Sequence, residues 1–88
     1  MSSIIVDVRE PGEFVRGHVD GAINIPPQDL LAGSKQLDGV PKDTELILYC
    51  RTGSRSNVAM NILATQGYTN IINGINKEKV EAKYGKYR

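Results

Sequence analysis

The alternation of short apolar runs with helix-length segments predicts an α/β fold built on a mainly parallel sheet. Runs such as Ile4–Val6 and Leu46–Leu48 are continuously apolar, which is typical of strands that are buried on both faces of a sheet. The chain has 88 residues, which is the size of one domain, so a single domain over residues 1–88 is expected.

The first half of the chain predicts two strands and two short helical segments. Ser3–Val8 is β-branched and apolar and favours a strand, and Pro11 fits the first turn of a short helix that extends to Val15. Ala22–Ile25 is a second short strand that two prolines stop. Gln28–Ala32 is expected to form one or two helical turns before a polar loop.

The second half contains the clearest strand, Glu45–Cys50, which ends abruptly in a polar loop. A helix is expected over Arg55–Gln66, with one apolar face formed by Val58, Ala59, Ile62 and Leu63. Gly67 lies where a glycine commonly ends a helix. Thr69–Ile72 predicts a fourth strand.

The segment over residues 77–88 carries five basic and two acidic residues. This composition predicts a loosely packed basic tail, either a solvated terminal helix or a frayed end. A weak contact with an anionic surface is the alternative interpretation.

The composition excludes several classes of function and of stabilisation. The net charge of +1 argues against a nucleic-acid-binding protein, and no apolar run approaches the roughly 20 residues that a membrane helix needs. The single cysteine cannot form an intrachain disulfide, and one histidine adds too few ligands for a zinc site. We therefore expect no metal site and no cofactor. The chain is expected to be a monomer.

The amino terminus shows no signal peptide, because Met1 is followed almost directly by the first strand. A cytoplasmic protein is expected if Met1 is the native start. A periplasmic protein is the alternative, if a leader peptide was removed.

Cys50 has the surroundings of a nucleophile. It ends a buried strand, a glycine-containing loop follows, and a helix begins beyond that loop, so backbone N–H groups and the positive end of the helix dipole should stabilise a thiolate. Arg51 and Arg55 add two positive charges within the same loop. The alternative interpretation is a small buried apolar cysteine, but that would not require two arginines and three hydroxyl groups around it.

Three blocks of sequence, in order, resemble the rhodanese family of sulfurtransferases. The loop matches the family pattern Cys-x-x-Gly-x-Arg-Ser/Thr, the segments over residues 7–14 and 17–26 match its amino-terminal signature, and residues 67–71 match the segment after the active-site helix. The chain departs from the family near its end, where Ile72–Ile75 replaces a frequent Gly-Gly and no tryptophan is present. It is similar to the small single-domain bacterial members, including the periplasmic phage-shock type.

The resemblance implies a fold with helices on both faces of the sheet and a thiosulfate sulfurtransferase activity. Cys50 is implied as the catalytic residue that carries a persulfide. The substrate-binding residues implied are those of the following loop: Arg51, Thr52, Gly53, Ser54, Arg55 and Ser56. The partners implied are a small anionic sulfur donor and a thiophilic acceptor, cyanide or a thiol, with no nucleic acid and no membrane.

Two other functions stay open. A phosphatase or an arsenate-handling enzyme would use the same cysteine, but related phosphatases carry Cys-x5-Arg, whereas Cys50 and Arg55 are separated by four residues. A non-catalytic module that binds a partner or delivers sulfur would usually have lost the cysteine. For His18, and for Asp7 with Arg9, structural roles are expected: a hydrogen-bonded loop histidine and a polar network at a strand end.

Overall fold

In a computed structural model of the protein, residues 3–84 are described, and they form a four-stranded sheet with flanking helices. The strand order is β2-β1-β3-β4, and every neighbouring pair is parallel, which confirms the predicted α/β class. The strands are β1 (Ser3–Asp7), β2 (Ile23–Asn24), β3 (Glu45–Cys50) and β4 (Ile71–Asn76).

Four α-helices and one short 3-10 helix connect or follow these strands. The connections between consecutive strands are long and contain the helices, as parallel neighbours require. The helices are α1 (Pro11–Val15), α2 (Pro27–Leu31), α3 (Ser54–Thr65) and α4 (Lys77–Tyr84), and the 3-10 helix is Lys35–Leu37. In the described part of the chain no helix is both long and apolar enough to cross a membrane.

The core has two layers because alternate residues of each strand point to opposite faces of the sheet. On one face, Leu46, Leu48 and Cys50 of β3 pack with Ala59 and Leu63 of α3. On the other face, Ile47 and Tyr49 of the same strand pack with Val80 of α4. Strand β3 is therefore covered on both faces, and its carboxyl end, where Cys50 lies, is fixed from both sides.

Strand β4 begins later and extends further than the sequence predicted. It covers Ile71–Asn76 instead of Thr69–Ile72, and it passes through Gly74. A β-bulge makes this possible: Asn73 is opposite Leu48, but Ile75 is opposite Tyr49, so Gly74 is the extra residue. A Cβ atom at Gly74 would lie 2.5 Å from the Val80 side chain, so only glycine fits here.

Two sequence predictions about the helices can be compared with the structure. Val58 was expected on the apolar core face of α3, but it is 57% exposed. Of the basic tail, residues 77–84 form α4, which is anchored to the sheet by the fully buried Val80. The remainder of the predicted tail, residues 85–88, lies outside the described residues.

Candidate active site

Cys50 lies at the carboxyl end of β3, a central strand, where the chain leaves the sheet and enters α3. This is the edge at which open α/β sheets bind ligands. The residue is 2% exposed. Between Cys50 and the helix, Gly53 adopts φ +96°, a left-handed conformation that favours glycine and folds the loop back over the sulfur.

The Cys50 sulfur accepts hydrogen bonds from the backbone of its own loop. The N–H groups of Gly53 and Ser56 donate to Sγ at 3.1 and 3.4 Å, and the Ser56 hydroxyl lies 3.6 Å from it. Ser54 and Ser56 are residues that can cap a helix, but Gly53 is the N-cap residue of α3 and no side chain caps the helix. The sulfur instead takes the place of a capping acceptor, because it binds an amide of the first turn.

These contacts shift the acidity of the thiol. Burial of Cys50 disfavours the charged form and raises its pKa, but hydrogen bonds from the hydroxyl and amide of Ser56 and from the amides of Thr52 and Gly53 outweigh it. The net result is a pKa of about 7. A substantial fraction of Cys50 is therefore thiolate near neutral pH, which is the reactive form of a cysteine.

Three of the predicted loop residues lie at the rim of the site. Arg51, Thr52 and Ser54 are exposed, and the hydroxyl groups of Thr52 and Ser54 are 3.2 Å apart. The Arg51 guanidinium forms no ion pair within residues 3–84. Its positive charge is therefore available to an incoming anion, whereas Gly53 and Ser56 contact the sulfur directly.

Arg55 is held by a residue that the sequence did not associate with the site. Its guanidinium donates to both carboxylate oxygens of Glu13 in α1, at 2.7 and 3.1 Å. The Arg55 hydrogen bond lowers the pKa of Glu13 to about 2, so Glu13 is ionised at neutral pH. Arg55 thus ties the beginning of α3 to α1, and its positive charge is paired with the Glu13 carboxylate.

Asn73 of β4 is the second site residue that sequence reasoning missed. Its Oδ1 accepts the Ser56 hydroxyl at 2.6 Å, and its Nδ2 donates to the Gly53 carbonyl at 3.1 Å. The bulge at Gly74 turns the strand so that this side chain reaches the loop. The sequence signal was the segment Ile72–Ile75, which stands where the family often has Gly-Gly and to which we assigned no role in the site.

Ile75 closes the loop from the β4 side. A Cβ atom on Gly53 would lie 3.2 Å from Ile75 Cγ2, so the two residues are in close contact. Ile75 itself has φ +78°, which is rare for a β-branched residue and stores backbone strain. The bulge that positions Asn73 is therefore maintained against a local cost.

The residues expected to be structural have such contacts. Arg9 pairs with the fully buried Asp7 at 2.6 Å and also donates to the Gly17 carbonyl at 2.7 Å. His18 stacks on Phe14 and its Nδ1 lies 2.8 Å from the Phe14 carbonyl, within its own loop. None of these side chains is a hydrogen-bond partner of the Cys50 sulfur among the described residues.

An open apolar groove of about 270 Å³ adjoins the loop between α2 and α3. Leu30 of α2 and Val58 and Ile62 of α3 contribute to its walls, and Ser54 and Arg55 contribute where it meets the loop. This explains why Val58 is exposed. The groove gives a reactant that approaches Cys50 an apolar surface beside a positively charged one.

The site is a cysteine whose sulfur is bound by loop amides at the end of a parallel strand. Comparison with known proteins shows which family this chain belongs to. The model of the rhodanese-like domain matches residues 1–76, which is most of the chain. The chain belongs to the rhodanese-like domain family. The resemblance inferred from the three sequence blocks is thereby confirmed.

Relatives of this rhodanese-like domain include proteins named as sulfurtransferases. Thiosulfate sulfurtransferase PspE of Escherichia coli is 36% identical over 69 residues, covering 77% of this chain and 64% of its own length. Thiosulfate:glutathione sulfurtransferase of Saccharomyces cerevisiae is 37% identical over 78 residues, covering 76% of this chain and 55% of its own. The chain thus spans less than two thirds of either relative.

A solved structure agrees with the fold of this rhodanese-like domain. A rhodanese from E. coli, solved with anions, gives a TM-score of 0.78 at 32% identity and covers 89% of this chain and 91% of its own. The likeness extends over nearly the whole of both chains. The expected rhodanese fold, a parallel sheet between helices, is confirmed.

Proposed function

We propose that the protein transfers the outer sulfur of thiosulfate to cyanide or to a thiol through a persulfide on Cys50. The observation that carries this proposal is the Cys50 sulfur, which accepts the N–H groups of Gly53 and Ser56 and has a pKa of about 7. Such a sulfur is a nucleophile at neutral pH without a separate base to deprotonate it. The same amides can stabilise an anionic sulfur attached to it, as preorganised donors do in other covalent sites.

The reaction would proceed in two steps on the same residue. The Cys50 thiolate attacks the outer sulfur of thiosulfate, the sulfur–sulfur bond of the donor breaks, and sulfite leaves with the electron pair. The persulfide so formed then gives its outer sulfur to the acceptor: cyanide becomes thiocyanate, and Cys50 returns to the thiolate. The negative charge is conserved in both steps, and no oxidant or reductant is required.

Arg51 is the residue proposed to attract the anionic donor. It is exposed at the rim and unpaired within the described chain, whereas Arg55 is engaged by Glu13. Names of the relatives support this substrate class, since two of them are thiosulfate sulfurtransferases by name, and the related E. coli rhodanese was solved with anions. A positive charge at the entrance raises the local concentration of an anion.

Intact mass spectrometry tests the proposal. After incubation with thiosulfate the mass should rise by one sulfur atom, and it should return to its original value after addition of cyanide. The matched control is Cys50→Ser, which keeps the size of the side chain and should gain nothing. A gain of sulfur by C50S would show that another residue is the nucleophile, and no gain by the wild-type protein would overturn the proposed function.

Steady-state kinetics tests the role of Arg51. Arg51→Ala should raise KM for thiosulfate and lower kcat/KM on the order of tenfold, which corresponds to about 1.4 kcal/mol. Lys79→Ala is the charge-matched control, because it removes one exposed positive charge from α4 instead of the loop. Equal effects of both variants would show that Arg51 acts only through net charge.

A further inference from the structure

The Ser56 hydroxyl has one proton and three acceptors within reach. Its Oγ lies 2.6 Å from Asn73 Oδ1, 3.2 Å from the Gly53 carbonyl oxygen and 3.6 Å from the Cys50 sulfur. A hydroxyl donates a single hydrogen bond, although its oxygen can accept others. The three groups therefore cannot all receive this proton, and the shortest distance favours Asn73.

The orientation of the Asn73 amide follows from two neighbouring backbone groups, one of which can only donate a hydrogen bond and the other only accept one. The Ile75 N–H can only donate, and it lies 3.0 Å from Oδ1. The Gly53 carbonyl can only accept, and it lies 3.1 Å from Nδ2. Oδ1 therefore faces Ser56, and because a carbonyl oxygen only accepts, the short contact requires the Ser56 proton to point at Asn73.

We propose that Asn73 is a positioning residue that competes with Cys50 for the single proton of the Ser56 hydroxyl. While Cys50 is a thiol, the hydroxyl donates to Asn73 and its oxygen is free to accept the S–H group. When the sulfur is charged, the O–H bond rotates toward it, and Asn73 Oδ1 retains the Ile75 N–H. No covalent bond changes in this rotation.

Asn73 therefore disfavours the charged form of the sulfur. The size of this effect depends on the strength of the hydrogen bond from the Ser56 hydroxyl to Asn73 Oδ1. The inference deepens the proposed function, because the same rotation would serve the persulfide anion if that species forms. Among the described residues, the charged group that interacts with the Cys50 sulfur is Arg55, which is paired with Glu13. Substitutions at Asn73 or Ser56 leave that pair in place.

The test is the pH dependence of the rate at which iodoacetamide alkylates Cys50, measured without any sulfur donor. The wild-type midpoint is expected near pH 7. Asn73→Leu keeps the forked shape but accepts no hydrogen bond, so the midpoint should fall by roughly half to one pH unit. The size follows from carboxylates, whose pKa is lowered by about two units when they accept two or three hydrogen bonds. Asn73→Asp accepts more strongly and adds a negative charge, so the midpoint should rise.

A purely structural role predicts a different pattern. Both variants lose the Nδ2 donor to the Gly53 carbonyl, so if Asn73 only braced the loop, both midpoints would rise toward the free-thiol value of about 8.5. A rise in N73L overturns the proposal, as does an unchanged midpoint. If N73L does not give the wild-type circular dichroism spectrum, Asn73→Ala replaces it with the same expected sign.

The decisive control removes the proton itself. In a Ser56→Ala background the hydroxyl is absent, so N73L should no longer lower the midpoint; a shift of the same size as in the Ser56 protein overturns the competition. The measurement is independent of sulfur transfer. If no persulfide forms but N73L lowers the midpoint only when Ser56 is present, the proposed function fails and the role of Asn73 stands.

Discussion

Glu13 and Arg55 are 42 positions apart in the sequence, yet the carboxylate of the first accepts two hydrogen bonds from the guanidinium of the second. The pair joins α1 to the first turn of α3, beside the loop that holds Cys50. Its partly exposed position limits its contribution to stability, because water screens the charges and both side chains lose rotational freedom. Its main effect is to fix the direction in which the Arg55 charge points.

Glu13→Gln should lower the free energy of unfolding by about 0.5–1 kcal/mol at pH 7. The pKa of Glu13 is lowered to about 2 in the fold, against about 4.3 for a free glutamate, so this contribution is fully present above pH 4.3. It is lost as the pH falls from 4.3 through 2. Urea denaturation of the wild type and E13Q from pH 7 to pH 3 should show the difference shrinking only below pH 4.3.

Asp38→Asn is the control for that comparison, because Asp38 is exposed and forms no ion pair within the described chain. It should leave the free energy of unfolding nearly unchanged over the same pH range. If wild type and E13Q had the same free energy of unfolding at pH 7, this would contradict a stabilising role for the pair.

The acidity of Cys50 should appear in stability as well as in reactivity. Its pKa of about 7 in the fold is below the free-thiol value of about 8.5, so the folded state favours the thiolate. The resulting stabilisation is fully present above pH 8.5 and is lost as the pH falls through 7. Comparison of wild type with C50S by denaturation should show a gain of roughly 2 kcal/mol for the wild type between pH 6 and pH 9. A constant difference would mean that the loop does not stabilise the thiolate.

Gly53→Ala should disturb both the loop and the sulfur. The residue has φ +96°, and an added Cβ would lie 3.2 Å from Ile75 Cγ2. The left-handed conformation alone costs a non-glycine residue roughly 1–2 kcal/mol. Because the Gly53 N–H donates to the Cys50 sulfur, its displacement should also raise the pKa of Cys50.

Gly39→Ala is the matched control for that substitution, since Gly39 has φ +84° with nothing within 4 Å of an added Cβ. It should carry the same backbone cost without a change in Cys50 alkylation. If G39A and G53A lose equal stability and both keep the wild-type alkylation profile, the contact with Ile75 has no effect on the site.

The sequence predicted the part of the site that lies in one contiguous stretch of the chain. It missed the residues that reach the site from other elements. Cys50 and its loop are contiguous, so strand, glycine and helix start could be inferred together. The contacts from Glu13 and Asn73 depend on which strands are neighbours and on a bulge at Gly74, and apolar patterning does not encode a bulge. Val58 was misplaced for a related reason: its spacing on α3 matches the core, but α2 is too short to cover it.

Loop length is the last feature that a single change can test. Four residues separate Cys50 from Arg55, and the amides of Gly53 and Ser56 both reach the sulfur. One glycine inserted after Gly53 should enlarge the loop without removing Cys50, Arg51 or Arg55. Sulfur transfer from thiosulfate should then fall, because these donors would no longer converge on one sulfur atom.

Binding of phosphate or arsenate should improve in the same insertion variant, because a tetrahedral anion would fit against the beginning of α3. Hydrolysis of an aryl phosphate need not appear, since no general acid is assigned to the site.

The matched control is one glycine inserted after Gly39, which lies in a loop away from the sulfur and should leave thiosulfate turnover unchanged. Faster hydrolysis of aryl phosphate than sulfur transfer by the unmodified protein would contradict the argument. So would an insertion after Gly53 that changes neither activity nor anion binding, because the size of the loop would then not select the substrate.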